Sequence, residues 1–210
     1  MHTENKGQFV TLEGIEGVGK SSHLPAIRRY FESRGHRVVT TREPGGTPLG
    51  ERLRQLLLQD KSLQICDDTE LMLMFAARAE HLSQVIRPEL ENGSVVISDR
   101  FTDSTFAYQG GGRGLPQDRI AELEHWVQGG LRPDLTLLFD APVEIALQRA
   151  ARRSNKDRIE DQELSFFEDV RNCFLRRCQM EPERFVRIDS SRSYDEVEAA
   201  VLSALKRRYE

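Results

Sequence analysis

The chain has 210 residues, of which 30% are charged and 38% hydrophobic, and its formal net charge is −4. This length suffices for one domain with a substantial core, and interspersed acids and bases are typical of a soluble globular protein. The weakly acidic balance argues against a protein that coats nucleic acid. No apolar run approaches the roughly 18 residues that a membrane span needs. We therefore expect a single domain over residues 1–210, with neither nucleic acid nor a membrane as partner.

The cysteines and the start of the chain bear on cellular location. Cys66, Cys173 and Cys178 are odd in number and show no metal-ligand spacing with the five histidines. We interpret them as reduced thiols. The segment 1–8 is polar and does not resemble a signal peptide. These features predict a cytoplasmic protein.

Apolar runs alternate with helical patterns along the whole chain. The runs predict strands at 9–13, 37–41, 94–98, 135–140 and 185–189. The helical patterns lie at about residues 20–34, 48–58, 69–92, 118–129, 142–153, 163–180 and 193–208. This alternation is typical of a parallel sheet covered on both faces. The sequence predicts an α/β fold with a five-stranded parallel sheet, interrupted by irregular stretches at "YQGGGRGLP" and "RRSNKDRIED".

A phosphate-binding motif follows the first predicted strand. In "EGIEGVGKSS" the residues Gly14, Gly19, Lys20 and Ser21 have the spacing G-x-x-x-x-G-K-S. Glycines let backbone N–H groups turn toward a polyphosphate, and the positive end of the next helix adds to the attraction. The lysine of such a loop reaches the β- and γ-phosphates, and the serine hydroxyl binds Mg²⁺. The predicted nucleotide-binding residues of this P-loop NTPase fold are Gly14, Ile15, Glu16, Gly17, Val18, Gly19, Lys20, Ser21 and Ser22.

A P-loop predicts nucleotide binding without saying how the nucleotide is used. A GTPase would carry N-K-x-D after a strand, whereas "NKDR" at 155–158 has arginine in place of the acid and lies in a polar loop. A kinase needs a second anion site and a lid with arginines. Asp99 and Arg100 follow the third strand, at the edge where parallel sheets bind ligands. They suit a water-mediated Mg²⁺ contact and an acceptor phosphate respectively, or else a simple salt bridge.

Further motifs connect these features to one family. The P-loop together with "TREPGGTPLGERLRQLLL", "MFAARAEHL", "DRFTDSTFAYQGGGRG", "RPDLTLLFD" and "DRIE" resembles the thymidylate kinase family, from about Phe9 to the last helix. The resemblance implies transfer of the γ-phosphoryl group of Mg-ATP to dTMP, which gives dTDP and supplies dTTP for DNA synthesis. It also implies ATP and dTMP as ligands, Mg²⁺ as cofactor and a homodimer.

The resemblance also assigns residues to the acceptor site. Arg54 and Arg100 would hold the phosphate of dTMP, Arg78 would bind thymine, and Tyr108 would lie beneath the deoxyribose. Phe75 would stack on thymine, although many relatives carry the ring at the position of Met74, which therefore remains the alternative. The predicted dTMP residues are Glu16, Pro44, Arg54, Phe75, Arg78, Arg100, Thr105, Tyr108 and Gln109. The glycines at 110–112 would form a flexible hinge beside the site.

The charged stretch "RAARRSNKDRIED" corresponds to a mobile lid at about 149–162. Gly17 follows Glu16, and relatives with glycine there carry the transition-state arginine in the lid, as bacterial-type enzymes do. We predict Arg153 for that role, with Arg152 as the alternative and with Arg149 and Arg158 as supporting ATP-binding residues. The predicted catalytic residues are Lys20, Arg153, Arg100 and Glu16.

Glu16 is an acid among amides that attract anions. Because a carboxylate close to a triphosphate is repelled, its side chain is expected to turn out of the loop toward the acceptor. By resemblance it approaches the 3′-hydroxyl of dTMP and the water shell of Mg²⁺; pairing with a nearby arginine is the alternative. Two other functions remain open: a kinase for a different nucleoside or nucleotide, and a nucleotide-binding switch.

Overall fold

The computed structural model describes residues 7–152, 158–159 and 162–210. In these ranges five strands form one parallel sheet in the order β2-β3-β1-β4-β5. The strands are β1 (Gln8–Glu13), β2 (Val38–Arg42), β3 (Val95–Asp99), β4 (Leu135–Asp140) and β5 (Phe185–Asp189). Each lies within one residue of its predicted bounds, so the predicted five-stranded α/β fold is confirmed.

Helices cover the sheet and supply most of the remaining described chain. They are α1 (Lys20–Glu32), α2 (Pro48–Arg54), α3 (Asp67–His81), α4 (Arg87–Glu91), α5 (Thr102–Thr105), α6 (Gln117–Gln128), α7 (Val143–Ala150), α8 (Leu164–Met180) and α9 (Tyr194–Tyr209). π-Helical turns extend α2 over Gln55–Gln59, join α3 to α4 over Leu82–Ile86, and extend α5 over Phe106–Gly112. The helical pattern at 69–92 is therefore one continuous helical path that contains a π-helical turn.

The glycine-rich stretch after β3 differs from its prediction. The glycines at 110–112 belong to the π-helical turn Phe106–Gly112, which packs on α8. A Cβ on Gly111 would lie 2.8 Å from the Cβ of Cys173, so the missing side chains let the two helical segments approach closely. The prediction of an irregular stretch with a hinge was therefore wrong for residues 108–112, because glycine is also selected where helices come into close contact, whereas residues 113–116 lie outside any helix or strand as predicted.

The centre of the sheet explains both the apolar strand sequences and the position of the phosphate loop. Val10 and Leu12 of β1 and Leu137 of β4 are fully buried, because helices cover both faces of the sheet. β1 lies between β3 and β4. The chain runs from β1 to β2 on the β3 side and later crosses from β3 to β4 on the other side, so the carboxyl end of β1 lies at the topological switch point where such sheets bind ligands. Leu12 pairs with Asp99, so the loop after β1 starts beside the carboxyl end of β3.

Candidate active site

The predicted phosphate loop connects β1 to α1. Gly14, Gly17 and Gly19 have φ angles of 131°, 77° and 93°, which other residues rarely adopt, and α1 begins directly at Lys20. The side chains of Ile15 and Val18 are buried in the core. Only the backbone of these two residues is therefore suited to contact a phosphate.

Lys20 is held by the loop that it belongs to. Its Nζ donates to the carbonyl oxygens of Gly14, at 2.7 Å, and Ile15, at 3.0 Å. Burial, followed by the positive charge of Arg100, lowers the pKa of Lys20 to about 8. An anion beside Nζ would oppose both effects and favour the ammonium form.

Gly17 lies directly against helix α7. A Cβ at this position would be 1.9 Å from the carbonyl oxygen of Ala146. No side chain fits there unless α7 moves, so an arginine could not occupy the position next to Glu16. This packing agrees with the expectation that the catalytic arginine comes from another segment.

Ser21 and Asp99 meet at the mouth of the phosphate loop. The Ser21 hydroxyl donates to Asp99 Oδ2 at 3.3 Å. Asp99 Oδ1 is buried and has no hydrogen-bond partner among the described residues. A hydroxyl and an unsatisfied carboxylate oxygen are suitable ligands for Mg²⁺, directly or through water.

Arg100 connects the phosphate loop to the elements after β3. Its φ angle is 71°, in the left-handed region, which costs a non-glycine residue on the order of 1–3 kcal/mol. Its Nη1 donates to the carbonyl oxygen of Gly14 at 2.9 Å and to the Ser104 hydroxyl at 3.0 Å. Its Nη2 donates to Glu16 Oε1 at 2.6 Å. Strain of this kind commonly occurs at functional positions.

Glu16 is turned out of the phosphate loop. Besides the contact with Arg100, its Oε2 accepts a hydrogen bond from the Tyr108 hydroxyl at 2.7 Å. Burial, opposed by the charge of Arg100, raises the pKa of Tyr108 well above its ordinary value, so the phenol remains a donor. The structure thus shows the arginine pairing; contact with the 3′-hydroxyl of an acceptor stays a prediction.

A single cleft brings the predicted donor and acceptor residues together. Its phosphate-loop side is lined by Glu16, Gly17, Gly19, Lys20 and Ser21. Every predicted dTMP residue except Phe75 lines the same cleft: Glu16, Pro44, Arg54, Arg78, Arg100, Thr105, Tyr108 and Gln109. This common cleft is the main geometric evidence for a two-substrate site.

Several acceptor-side residues are fixed by contacts with one another. Arg54 Nη1 donates to the carbonyl oxygen of Pro44 at 2.9 Å. Arg78 Nη2 donates to the Thr105 hydroxyl at 2.9 Å. Such contacts keep both guanidinium groups oriented, which reduces the conformational entropy lost when an anion or a base binds.

Adjacent residues of α3 take different positions around the cleft. Met74 lines the cleft, whereas Phe75 is only 2% exposed and places its ring 4.8 Å from the guanidinium carbon of Arg78. The geometry therefore favours Met74 over Phe75 for contact with a base, and Phe75 supports Arg78.

Two arginines of the predicted lid, Arg149 and Arg158, contact backbone carbonyl oxygens outside the phosphate loop. Arg149 Nη1 donates to the carbonyl oxygen of Ser190, just after β5, at 2.6 Å. Arg158 Nε donates to the carbonyl oxygen of Leu57 at 2.9 Å, and its Nη2 pairs with Glu70. Arg153, the predicted catalytic arginine, lies outside the described residues.

Sequence reasoning missed several residues that line the cleft. They are Arg42, Glu43, Leu58, Phe101, Ser104 and Ile159. Phe101 follows directly after Arg100 and Ser104 lies three residues further on, so their position near the strand end was a usable signal. Leu58 and Ile159 had no local signal, because only the packing of distant segments brings them to the cleft.

Comparisons with known proteins agree with this geometry. The family model described as "Thymidylate kinase" matches residues 12–201. A thymidylate kinase of Pseudomonas putida (strain GB-1) is 56% identical over 192 residues, which cover 91% of each chain. One from Neisseria gonorrhoeae (strain NCCP11945) is 52% identical over 200 residues, which cover 95% of this chain and 97% of that one. The chain belongs to the thymidylate kinase family.

A solved thymidylate kinase gives the same result at the level of the fold. The crystal structure of the enzyme from Ehrlichia chaffeensis superposes with a TM-score of 0.79 at 32% identity and covers 95% of this chain and 98% of that one. The predicted membership of the thymidylate kinase family, and with it the predicted kinase class, is confirmed.

Proposed function

We propose that this protein transfers the γ-phosphoryl group of ATP to the phosphate of dTMP and thereby supplies dTDP for dTTP synthesis. The observation that supports this best is the cleft shared by Lys20 and Ser21 of the phosphate loop and by Arg54 and Arg100 on the acceptor side. Family membership provides the identity of the nucleotide pair.

The acceptor phosphate would be held by Arg54 and Arg100. Guanidinium groups present paired donors that match the oxygens of a phosphate monoester. The phosphate oxygen of dTMP that receives the phosphoryl group is already anionic near neutral pH, since the second pKa of a phosphate ester is about 6. No general base is needed, and the protein contributes alignment and charge neutralisation.

The donor side would use Lys20 and the phosphate-loop amides. Ser21 and Asp99 would hold Mg²⁺, which neutralises charge on the β- and γ-phosphates. Gly14 to Ser22 and Arg149 are the proposed ATP residues, with Arg153 as the proposed transition-state arginine. Arg158 belongs to the same proposed lid and pairs with Glu70. We propose that it contributes to ATP binding by anchoring the lid.

The nucleoside part of the acceptor would occupy the region around Arg78. Thr105 and Gln109 would contact the base, Met74 or Phe75 would cover its face, and Tyr108 would lie beneath the sugar. A tyrosine there would crowd a 2′-hydroxyl, which favours deoxynucleotides.

We also propose a homodimer. Met72 is 57% exposed on α3, and Trp126 is 81% exposed on the neighbouring α6. Large apolar side chains on the surface of adjacent helices are typical of a surface that a second copy covers.

A cytoplasmic site of action is the remaining part of the proposal. Cys66, Cys173 and Cys178 are free thiols, as expected in a reducing compartment. In the described ranges no helix has both the length and the apolar character to cross a membrane.

Acceptor-dependent release of ADP tests the proposed function. The purified protein is assayed with Mg-ATP and either dTMP, dUMP, dCMP or thymidine, and Lys20→Ala serves as the inactive control. We expect dTMP to be the best acceptor. Turnover with thymidine but not dTMP would favour a nucleoside kinase, and nucleotide binding without acceptor-dependent turnover would favour a switch protein.

A further inference from the structure

A chain of buried polar side chains lies behind Arg78. Arg78 Nε donates to Glu43 Oε2 at 2.8 Å, and Glu43 Oε1 is 3.0 Å from His81 Nδ1. His81 Nε2 is in turn 2.6 Å from the Thr41 hydroxyl. Arg78, Glu43 and His81 are 2%, 5% and 0% exposed, so water does not compete for these contacts. We call Thr41, Glu43 and His81 the relay.

The chemistry of the relay defines where its protons lie. A carboxylate only accepts hydrogen bonds, so His81 Nδ1 must carry the hydrogen that Glu43 accepts. In the neutral imidazole, Nε2 is then an acceptor and takes the hydrogen of the Thr41 hydroxyl. The relay therefore requires one tautomer of His81, with hydrogen on Nδ1.

Arg78 is held so that one of its nitrogens has no hydrogen-bond partner among the described residues. Its Nε is taken by Glu43 and its Nη2 by Thr105. Its Nη1 is buried and has no partner among the described residues, although the side chain lines the cleft. A buried donor without a partner is costly, so this arrangement suits a hydrogen-bond acceptor on a bound ligand.

Backbone packing couples the relay to the loop that lines the acceptor side. Gly46 has a φ angle of 79°, and a Cβ there would lie 2.6 Å from both His81 Nε2 and Thr41 Oγ1. The loop after β2 thus lies directly on the imidazole, and the Glu43 amide donates to the carbonyl oxygen of Asp99 at 3.0 Å. Hydrogen bonds of both its backbone amide and its side chain therefore hold Glu43 in place.

We propose that His81 and Thr41 are positioning residues that act through Glu43 to aim Arg78 Nη1 at a carbonyl oxygen of the acceptor base. A fixed donor pairs with the 4-carbonyl of thymine or uracil and not with the 4-amino group of cytosine. The relay would therefore set the preference between dTMP and dCMP. This inference rests on the proposed function, because it assumes a pyrimidine monophosphate in the cleft.

Kinetics of His81→Phe test the effect on specificity. Phenylalanine keeps a ring of similar size and removes both hydrogen bonds of the imidazole. We expect KM for dTMP to rise about tenfold and the preference for dTMP over dCMP in kcat/KM to fall by about the same factor, since a hydrogen bond to a charged group is lost. KM for ATP should not change, and Thr41→Val should show a smaller change in the same direction.

His36→Phe, outside the cleft, serves as the matched control and should leave all of these constants unchanged. A folded His81→Phe protein with an unchanged preference for dTMP would contradict the proposal. If His81→Phe does not fold, Thr41→Val decides in the same way, because it removes only the hydroxyl.

The tautomer of His81 provides a test that does not depend on activity. Two-bond ¹H–¹⁵N spectra of ¹⁵N-histidine-labelled protein should show hydrogen on Nδ1 of His81. In Glu43→Gln the amide oxygen must face Arg78 Nε and the amide NH₂ must face His81, so the hydrogen should move to Nε2. A His81 Nδ1 without hydrogen in the unmodified protein would overturn the relay.

The two measurements separate the inference from the proposed function. If the protein shows no kinase activity but His81 carries hydrogen on Nδ1, the proposed function is contradicted and the relay geometry is retained. Normal dTMP kinase activity with the opposite tautomer would contradict only the relay.

Discussion

At the residue scale, two glutamates three positions apart have different environments. Glu16 pairs with Arg100 and Tyr108 at the cleft. Glu13 is fully buried at the end of β1, where its carboxylate accepts from the Phe101 amide at 2.8 Å and the Ser104 hydroxyl at 2.6 Å. Burial, followed by the negative charge of Asp103, raises the pKa of Glu13 to about 7. Position relative to the strand end decides which acid lines the cleft.

Replacing Glu16 with glutamine should weaken use of dTMP more than binding of ATP. The substitution removes the charge that Arg100 and Tyr108 contact, and a charge-assisted hydrogen bond contributes roughly 1.5–3 kcal/mol, which is about tenfold or more in KM for dTMP. Steady-state kinetics with each substrate varied measure both constants. Glu32→Gln, which alters an exposed pair with Arg28, is the control. Equal effects on ATP and dTMP would contradict the assignment of Glu16 to the acceptor.

Glu13 should make stability depend on pH. Because its folded pKa is raised, the folded state binds the proton more tightly than the unfolded state. The stabilisation is complete below the unfolded pKa of about 4.5 and is lost as the pH rises through about 7. Glu13→Gln cannot titrate and therefore does not lose this stabilisation. As the pH rises across this range, the free energy of unfolding of Glu13→Gln should increase relative to that of the unmodified protein.

The expected gain of Glu13→Gln is roughly 1–3 kcal/mol, because each pKa unit corresponds to about 1.4 kcal/mol. Urea unfolding between about pH 4.5 and pH 8 measures the free energy of unfolding of both proteins. Other titrating groups contribute equally to both proteins, so their effect cancels when one value is subtracted from the other. A difference that stays constant with pH would show that Glu13 titrates at its ordinary value.

At the element scale, the phosphate loop takes its shape from its contact with α7. Gly17 is the closest point, with its Cβ direction blocked by the carbonyl oxygen of Ala146. The loop could not carry a larger residue there without a shift of α7, which leads into the predicted lid. The phosphate loop and the predicted lid are therefore coupled through packing.

Gly17→Ala should be more destabilising than an alanine at another glycine with similar backbone geometry. Gly35 has a φ angle of 82°, and a Cβ there meets nothing within 4 Å, so Gly35→Ala reports backbone strain alone. We expect Gly17→Ala to cost about 1–3 kcal/mol more than Gly35→Ala, since it adds the steric conflict with Ala146. Chemical denaturation of both variants measures the difference. Equal destabilisation would mean that α7 yields freely.

At the scale of the whole molecule, the exposed apolar side chains have an uneven distribution. Met72, Ala76 and Ala79 form an exposed stripe along one face of α3, because residues three and four apart share a helix face. Trp126 adds a large apolar surface on the adjacent α6. Two small residues, Ala76 and Ala79, beside the large Met72 and Trp126 permit close helix packing, which supports the proposed homodimer.

Trp126→Glu should convert the proposed homodimer to monomers. A charge in a buried interface must be desolvated, and loss of a central tryptophan commonly costs an interface 2 kcal/mol or more, roughly 30-fold in dissociation constant. Sedimentation velocity across a concentration series measures the change. Met180→Glu is the matched control, because Met180 is 77% exposed but lies on α8. A protein that is monomeric before substitution would contradict the dimer.

The sequence by itself determined the strands, the phosphate loop and the family. These features are encoded locally: a fully buried parallel strand reads as an apolar run, and the glycines, lysine and serine of the loop are consecutive in the chain. Family motifs extend over nearly the whole length, so they also indicated which residues would meet at the cleft, and the structure places all but Phe75 of the acceptor set there.

The tertiary structure alone decided which of several plausible contacts each side chain makes. Met74 and Phe75 are adjacent in the sequence, yet consecutive positions point about 100° apart on a helix, and only the packing of α3 decides that Met74 faces the cleft. The pairing of Glu16 with Arg100 and the contacts of the relay with one another and with Arg78 join residues 35 to 84 positions apart. Such contacts depend on how separate elements meet, so no local pattern in the sequence could reveal them.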